Sequence, residues 1–147
     1  MRPEGLTIRP ARIGERAQLE DLQRRASLIG PYRDDLLAFP DAIELPAEQF
    51  ERGQALVAES EGRVAAFAVV LDNQGKAELD GLFVEPELWR QGIGSALVAD
   101  AAHQARRQGL SLTMVASPEA RVFYEKCGFT VEQETETRFG PALLMSR

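Results

Sequence analysis

Apolar and polar residues alternate in Leu6-Thr7-Ile8-Arg9, the period of a strand with one buried face, and Pro10 closes the run. From Arg12 to Ile29 the period lengthens: Ile13, Leu19, Leu22, Ala26 and Ile29 recur mostly at three- and four-residue steps. That spacing predicts an amphipathic helix, stopped by Gly30-Pro31. Tyr32 to Gly53 keeps no sustained period, because Pro31, Pro40 and Pro46 cut it into short pieces. Within it, Asp34–Leu37 and Pro46–Phe50 suit one or two helical turns, with Pro46 at a helix start. Three β-runs follow, Ala55–Ser60, Val64–Asp72 and Lys76–Val84, separated by Glu61-Gly62-Arg63 and Asn73-Gln74-Gly75. Gaps this short, with Gly or Asn, predict hairpin turns. The middle run, VAAFAVVL, is apolar throughout, as in a central strand buried on both faces.

Pro86 ends the third strand, and an apolar stripe of Ile93, Leu97, Ala101 and Ala105, widened by Val98 and Ala102, predicts a helix from Ile93 to Gln108. His103 lies on its polar side with Asp100 and Arg107, so it reads as a surface residue, and Gly109 suits the C-cap. Leu110–Ala116 then reads as a strand that, after a crossover helix, runs parallel to Lys76–Val84. Ser117-Pro118-Glu119 opens a short helix to Lys126, with Ser117 as N-cap. Phe129–Glu136 and Ala142–Ser146 are closing strands joined through Gly140-Pro141. The result is one α+β domain over 1–147.

Composition changes this picture mainly by exclusion. The net charge of −6 lacks the basic footprint of a nucleic-acid binder. One cysteine, Cys127, permits no internal disulfide, and at a helix end it reads as a small buried thiol. One His and one Cys make no structural zinc set, so no metal is expected. The segment MRPEGLTIRP has no apolar signal core, and no apolar run approaches the roughly 20 residues of a membrane span. A cytoplasmic protein without membrane partners is the expectation.

The candidate chemistry sits where the third strand meets the long helix. Gln91-Gly92-Ile93-Gly94-Ser95 exposes unpaired N–H groups at a helix N-terminus, and glycines let a ligand approach the backbone. Together they form a phosphate seat. A P-loop would need Lys-Ser/Thr after its last glycine, and here Ser95-Ala96 follows Gly94. A dinucleotide fingerprint needs a third glycine and a strand directly before it; Leu97 takes that place, and seven residues separate Val84 from Gly92. The stretch Pro86–Leu97 instead resembles the acyl-CoA signature Gln/Arg-x-x-Gly-x-Gly/Ala of the GNAT N-acetyltransferases. Ala120-Arg121-Val122-Phe123-Tyr124-Glu125-Lys126-Cys127-Gly128-Phe129 is similar to a second segment of that family, and the order of elements also matches. Trp89 departs from the signature at its Gln/Arg position and reads as packing against the helix start. Arg90 and Gln91 stand where Gly and a basic residue are more usual, and Ser117 where many relatives have Asn.

The resemblance implies a mixed, mostly antiparallel sheet of six to seven strands flanked by helices, with a splayed parallel pair holding acetyl-CoA. It implies transfer of an acetyl group to a primary amine of a small molecule or peptide by direct attack in a ternary complex. It puts Gln91, Gly92, Ile93, Gly94 and Ser95 on the phosphates, with Arg90 as a nearby cation or a solvated residue. Free N–H groups of Leu82, Phe83 and Val84 would hold the pantetheine arm and thioester, with Ser117 beside the arm. Tyr124 takes the general-acid position. A thiol titrates near 8.5 and a phenol near 10, so the phenol can deliver a proton to the leaving thiolate without a large penalty. The amine must lose a proton, and Glu78 and Asp80 share strand parity; either, directly or through a water, is the candidate base. The other open alternatives are a solvated strand residue or a pair with Lys76. The irregular segment Tyr32–Gly53, with Tyr32, Asp34, Asp35 and Asp41, is the expected specificity region. A non-catalytic CoA-binding or regulatory protein is the alternative function, and a homodimer is left open.

Overall fold

The computed structural model describes residues 3–30, 33–39, 43–138 and 140–147. Its sheet contains β1 (Leu6–Pro10), β2 (Ala55–Ser60), β3 (Arg63–Asn73), β4 (Lys76–Val84), β5 (Leu112–Ala116), β6 (Thr130–Thr137) and β7 (Gly140–Ser146). The helices are α1 (Arg16–Ile29), α2 (Arg33–Ala38), α3 (Ala47–Glu51), α4 (Ile93–Arg107) and α5 (Arg121–Lys126). Strand order is β1-β2-β3-β4-β5-β7-β6, antiparallel except for β4 and β5. The mixed sheet with one parallel pair is the expected class. No helix among the described residues is long and apolar enough to cross a membrane.

The hairpins form where Glu61-Gly62 and Gln74-Gly75 take positive φ, the handedness that matches strand twist. β3 buries Ala65 through Val69, as its continuous apolar run requires. One face of the sheet packs under α4, and small side chains make that contact. Ala58, Ala66, Ala68 and Ala77 meet Ala101, Ala102 and Ala105 around Leu97 and Val98. The other face receives α1, whose Leu19 and Leu22 bury against Val57, Phe67 and Val69.

The first helix differs from its prediction. A 3-10 turn occupies Ile13–Glu15, and the α-helix begins at Arg16. The cause is ionic. The carboxylate of Glu15 accepts the Arg12 N–H at 2.8 Å and two Arg9 guanidinium bonds at 3.0 and 2.8 Å. Arg9 also reaches Glu59 at 2.9 Å, so the turn is fastened to β1 and β2 before the helix starts. Leu19, Leu22 and Ala26 are buried, whereas Ile13 is 57% and Ile29 60% exposed. The closing segment also differs. Gly140 and Pro141 belong to β7, and β7 lies between β5 and β6. The fifth strand begins at Leu112, and the short last helix is a 3-10 turn, Pro118–Ala120, followed by α5.

Two irregularities of β4 shape the site. Between Val69↔Gly81 and Val70↔Leu79 a bulge leaves Asp80 as the extra residue. Before it Ala77 and Leu79 face α4; after it Leu82 and Val84 do. Pairing with β5 stops at Leu79↔Met114, although β4 continues to Val84 and β5 to Ala116. The two strands therefore part.

The altered helix start gives a direct test. Leu19→Ala should cost about 2–5 kcal/mol, while Ile13→Ala should stay within about 0.5 kcal/mol. Urea denaturation of both variants distinguishes this arrangement from one continuous helix that buries Ile13.

Candidate functional site

The loop after β4 holds backbone strain at two residues. Arg90 has φ 67° and Gly92, at the N-cap of α4, has φ 85°. Left-handed backbone costs an L-residue about 1–2 kcal/mol and glycine almost nothing. Glycine would hold the φ of Arg90 without that cost. Gly94 permits a close approach: a Cβ there would lie 3.3 Å from Phe123 Cζ and 3.5 Å from Val84 Cγ2, so the Phe123 ring would have to give way slightly. The first turn of α4 has no acidic residue and no side-chain cap. Its first N–H groups, at Ile93, Gly94 and Ser95, have no intrahelical acceptor, and the ladder begins with Ala96 N–H on Gly92 O at 3.0 Å. With the helix dipole behind them they suit an anion.

A cavity of about 420 Å³ covers this turn and is lined by Val84, Trp89, Arg90, Gly92, Ile93, Gly94 and Ser95. A second cavity, about 590 Å³, shares Val84, Trp89, Arg90 and Phe123 with it and adds Leu82, Phe83, Ser117 and Tyr124. Most of the expected site residues therefore line two adjoining spaces. Gln91 is exposed and lines neither. The C-terminal end of α1 closes the second cavity with Ile29 and Gly30, which sequence reasoning missed. The available signal was an isoleucine at the end of an amphipathic stripe directly before Gly30-Pro31. Arg25 anchors that helix: it takes the Glu85 carboxylate at 2.9 and 2.5 Å and Asp21 at 2.8 Å. The Glu85 bonds first, then Asp21, push the Arg25 pKa above its ordinary value and hold it charged.

The backbone groups facing the opening follow from strand alternation. Glu85 N–H donates to Ala65 O at 2.8 Å, toward β3. Two residues earlier Phe83 N–H also turns toward β3, and those of Leu82 and Val84 turn into the gap beside β5. This corrects the expectation that all three are free. Phe83 instead contributes its ring, 5.3 Å from that of Phe67.

Trp89 also differs from expectation. It is 41% exposed rather than packed away, and its Nε1–H donates to Val84 O at 2.8 Å. Ser117 occupies an N-cap position, yet its side chain makes no capping bond. Tyr124 is buried, edge-on to Phe123 at 4.9 Å and to Phe129 at 5.7 Å. Cys127 is only half-buried, with Sγ 3.8 Å from Ser95 Oγ; desolvation pushes its thiol pKa up, against nucleophilic use. His103 is exposed.

Glu78 lies apart from these cavities. It lines a groove of about 740 Å³ with Thr113, Val115, Leu144 and Ser146. Its carboxylate accepts Asn73 Nδ2–H at 3.1 Å. Asp80, an exposed residue at the bulge, has its carboxyl pKa raised from its ordinary value, first by partial desolvation and then by the charge of Glu78. Of the expected specificity residues, Asp34 and Asp35 occupy the first turn of α2. Tyr32 and Asp41 lie outside the described residues.

The comparisons with known proteins bear on the family and the fold. The model of the acetyltransferase (GNAT) family matches residues 18–129. The PaiA N-acetyltransferase of Thermoplasma acidophilum, solved with coenzyme A, is 21% identical over 97% of this chain and 98% of its own, with a TM-score of 0.78. A GNAT-family acetyltransferase of Streptococcus pneumoniae is 22% identical over 97% of this chain and 98% of its own, with a TM-score of 0.73. The ribosomal-protein-S18-alanine N-acetyltransferase of Escherichia coli is 21% identical over 96% and 92%, with a TM-score of 0.71. Among curated proteins none matches the sequence.

Two outcomes follow for the site. Gly92→Glu should abolish binding of acetyl-CoA by placing bulk, strain and negative charge on the helix start; unchanged affinity in calorimetry would refute the seat. Asp80→Asn should raise the melting temperature at pH 7. A carboxyl whose folded pKa is raised destabilises the fold at pH above its unfolded pKa, so the gain should disappear below that value.

Proposed function

The chain belongs to the GNAT acetyltransferase family, and on that premise we propose that it acetylates a primary amine of a small molecule or peptide by direct attack in a ternary complex. Acetyl-CoA is the cosubstrate of this acyltransferase. One observation carries the proposal: a helix-start anion seat adjoins a cavity that contains both the parted edge of β4 and the buried Tyr124. The unpaired N–H groups at the start of α4 suit a bulky anion held by backbone. In this proposal the N–H groups of Ile93, Gly94 and Ser95 hold the pyrophosphate, and Arg90 adds a cation at the rim.

The thioester supplies an activated acetyl group. Leu82 N–H, turned into the gap, is positioned to bond its carbonyl oxygen as negative charge develops there, an effect worth roughly 2.7–4 kcal/mol in comparable sites. The incoming amine approaches from the Glu78 groove. An ammonium does not attack, so the Glu78–Asp80 pair takes its proton, directly or through a water. The raised carboxyl of Asp80 supports this assignment, because a base titrating nearer to neutrality is more effective. Tyr124 then gives a proton to the departing thiolate, and its aromatic surroundings keep competing water away. Acceptor choice would fall to the walls of the groove and to α2.

The test is release of free thiol from acetyl-CoA over a panel of amines. Turnover on at least one amine is expected. Tyr124→Phe should lower kcat about 10²–10⁴-fold with little change in the affinity for acetyl-CoA. Tight cofactor binding with no turnover on any amine would support a non-catalytic CoA-binding protein instead.

A further inference from the structure

We propose that Trp89 is a displaceable latch on the cofactor channel: its indole N–H holds the Val84 carbonyl in the free protein and gives it up to an amide of the pantetheine arm. The inference rests on the acetyl-CoA assignment above and adds a positioning role for a side chain that departs from the family signature. Three observations carry it. First, alternation along β4 turns the Val84 carbonyl, like its N–H, away from β3 and into the gap. Second, Trp89 Nε1 already occupies that carbonyl at 2.8 Å. Third, the anion seat and the Tyr124 cavity adjoin at Val84, Trp89, Arg90 and Phe123, so a ligand reaching from one to the other passes the indole.

A pantetheine arm carries two secondary amides. Laid along the free edge of β4 it acts as an added strand, which needs backbone donors and acceptors in turn. Leu82 and Val84 supply both kinds, but the Val84 carbonyl is spoken for. A carbonyl oxygen can accept two bonds, but the indole holds the Val84 oxygen on the gap side, the side from which the N–H of an added strand must also come, so the arm meets the indole there and the indole withdraws. Trp89 is already 41% exposed, so water can take up the freed N–H. The adjacent strained residue, Arg90, gives the loop a second reason to shift.

Trp89 is the sole tryptophan, so a ¹⁵N-labelled sample shows one indole N–H signal. Coenzyme A should speed the exchange of that N–H with water, whereas adenosine 3′,5′-bisphosphate, which reaches the seat but lacks the arm, should leave the exchange rate unchanged. Trp89→Phe, which removes the competing donor and keeps a ring, should bind coenzyme A roughly fivefold tighter, a gain that the bisphosphate should not share. Unaltered or slower indole exchange with coenzyme A bound overturns the latch, as does equal or weaker binding by Trp89→Phe. If calorimetry detects no binding of coenzyme A to the unaltered protein, the cofactor assignment falls and the latch falls with it.

Discussion

The parting of β4 from β5 after Leu79 and Met114 is the constraint from which the site follows. A strand inside a sheet normally spends its N–H and C=O groups on two neighbours. Here β4 remains paired to β3 as far as Val84, while the groups on its other edge lose their partners. Such groups are costly when buried, so the fold keeps them at an opening and leaves them to a ligand, a side chain or water. The bulge at Asp80 falls at the same place. It changes which residues face α4 and sets a carboxyl beside Glu78 on the opposite face. One backbone irregularity thus sets the residues that face α4 apart from the carboxylates on the other face.

Helix α4 completes the arrangement by delivering its N-terminus to the end of β4. Glu85, which would otherwise stand uncompensated at the start of the loop before α4, is neutralised by Arg25. The same ion pair joins α1 to that loop, so the wall of the cleft and its electrostatics depend on one guanidinium. Two carboxylates on Arg9 do comparable work at the other end of α1, where they fix the turn before Arg16.

Much of this was legible in the sequence because local chemistry decided it. The hairpin glycines, the apolar run of β3 and the Gly92–Gly94 helix start each impose one backbone outcome, and each appears where expected. The stripe Leu19, Leu22 and Ala26 is buried as expected, but the start of α1 was misread, because the ion pairs that join Arg9 to Glu15 and, across 50 residues of sequence, to Glu59 are invisible to a local periodicity. The insertion of β7 between β5 and β6 is likewise a long-range pairing. At the site, residue types were readable and directions were not. Phe83 stands in the right stretch, but ladder register turns its N–H toward β3. Trp89 looked like filler, and only its bond to Val84 shows otherwise.

The alanines between α4 and the sheet carry a consequence beyond packing. Ala66, Ala68 and Ala77 below, and Ala101, Ala102 and Ala105 above, set how low the helix rides. They act as a gauge. Each methylene added in that layer would lift the helix axis and carry its positive end off the mouth of the cleft. The coulombic reach of the anion seat is thus metered by the thinness of a layer that never touches the ligand, and residues with no polar atom in their side chains become determinants of where a charge can be held.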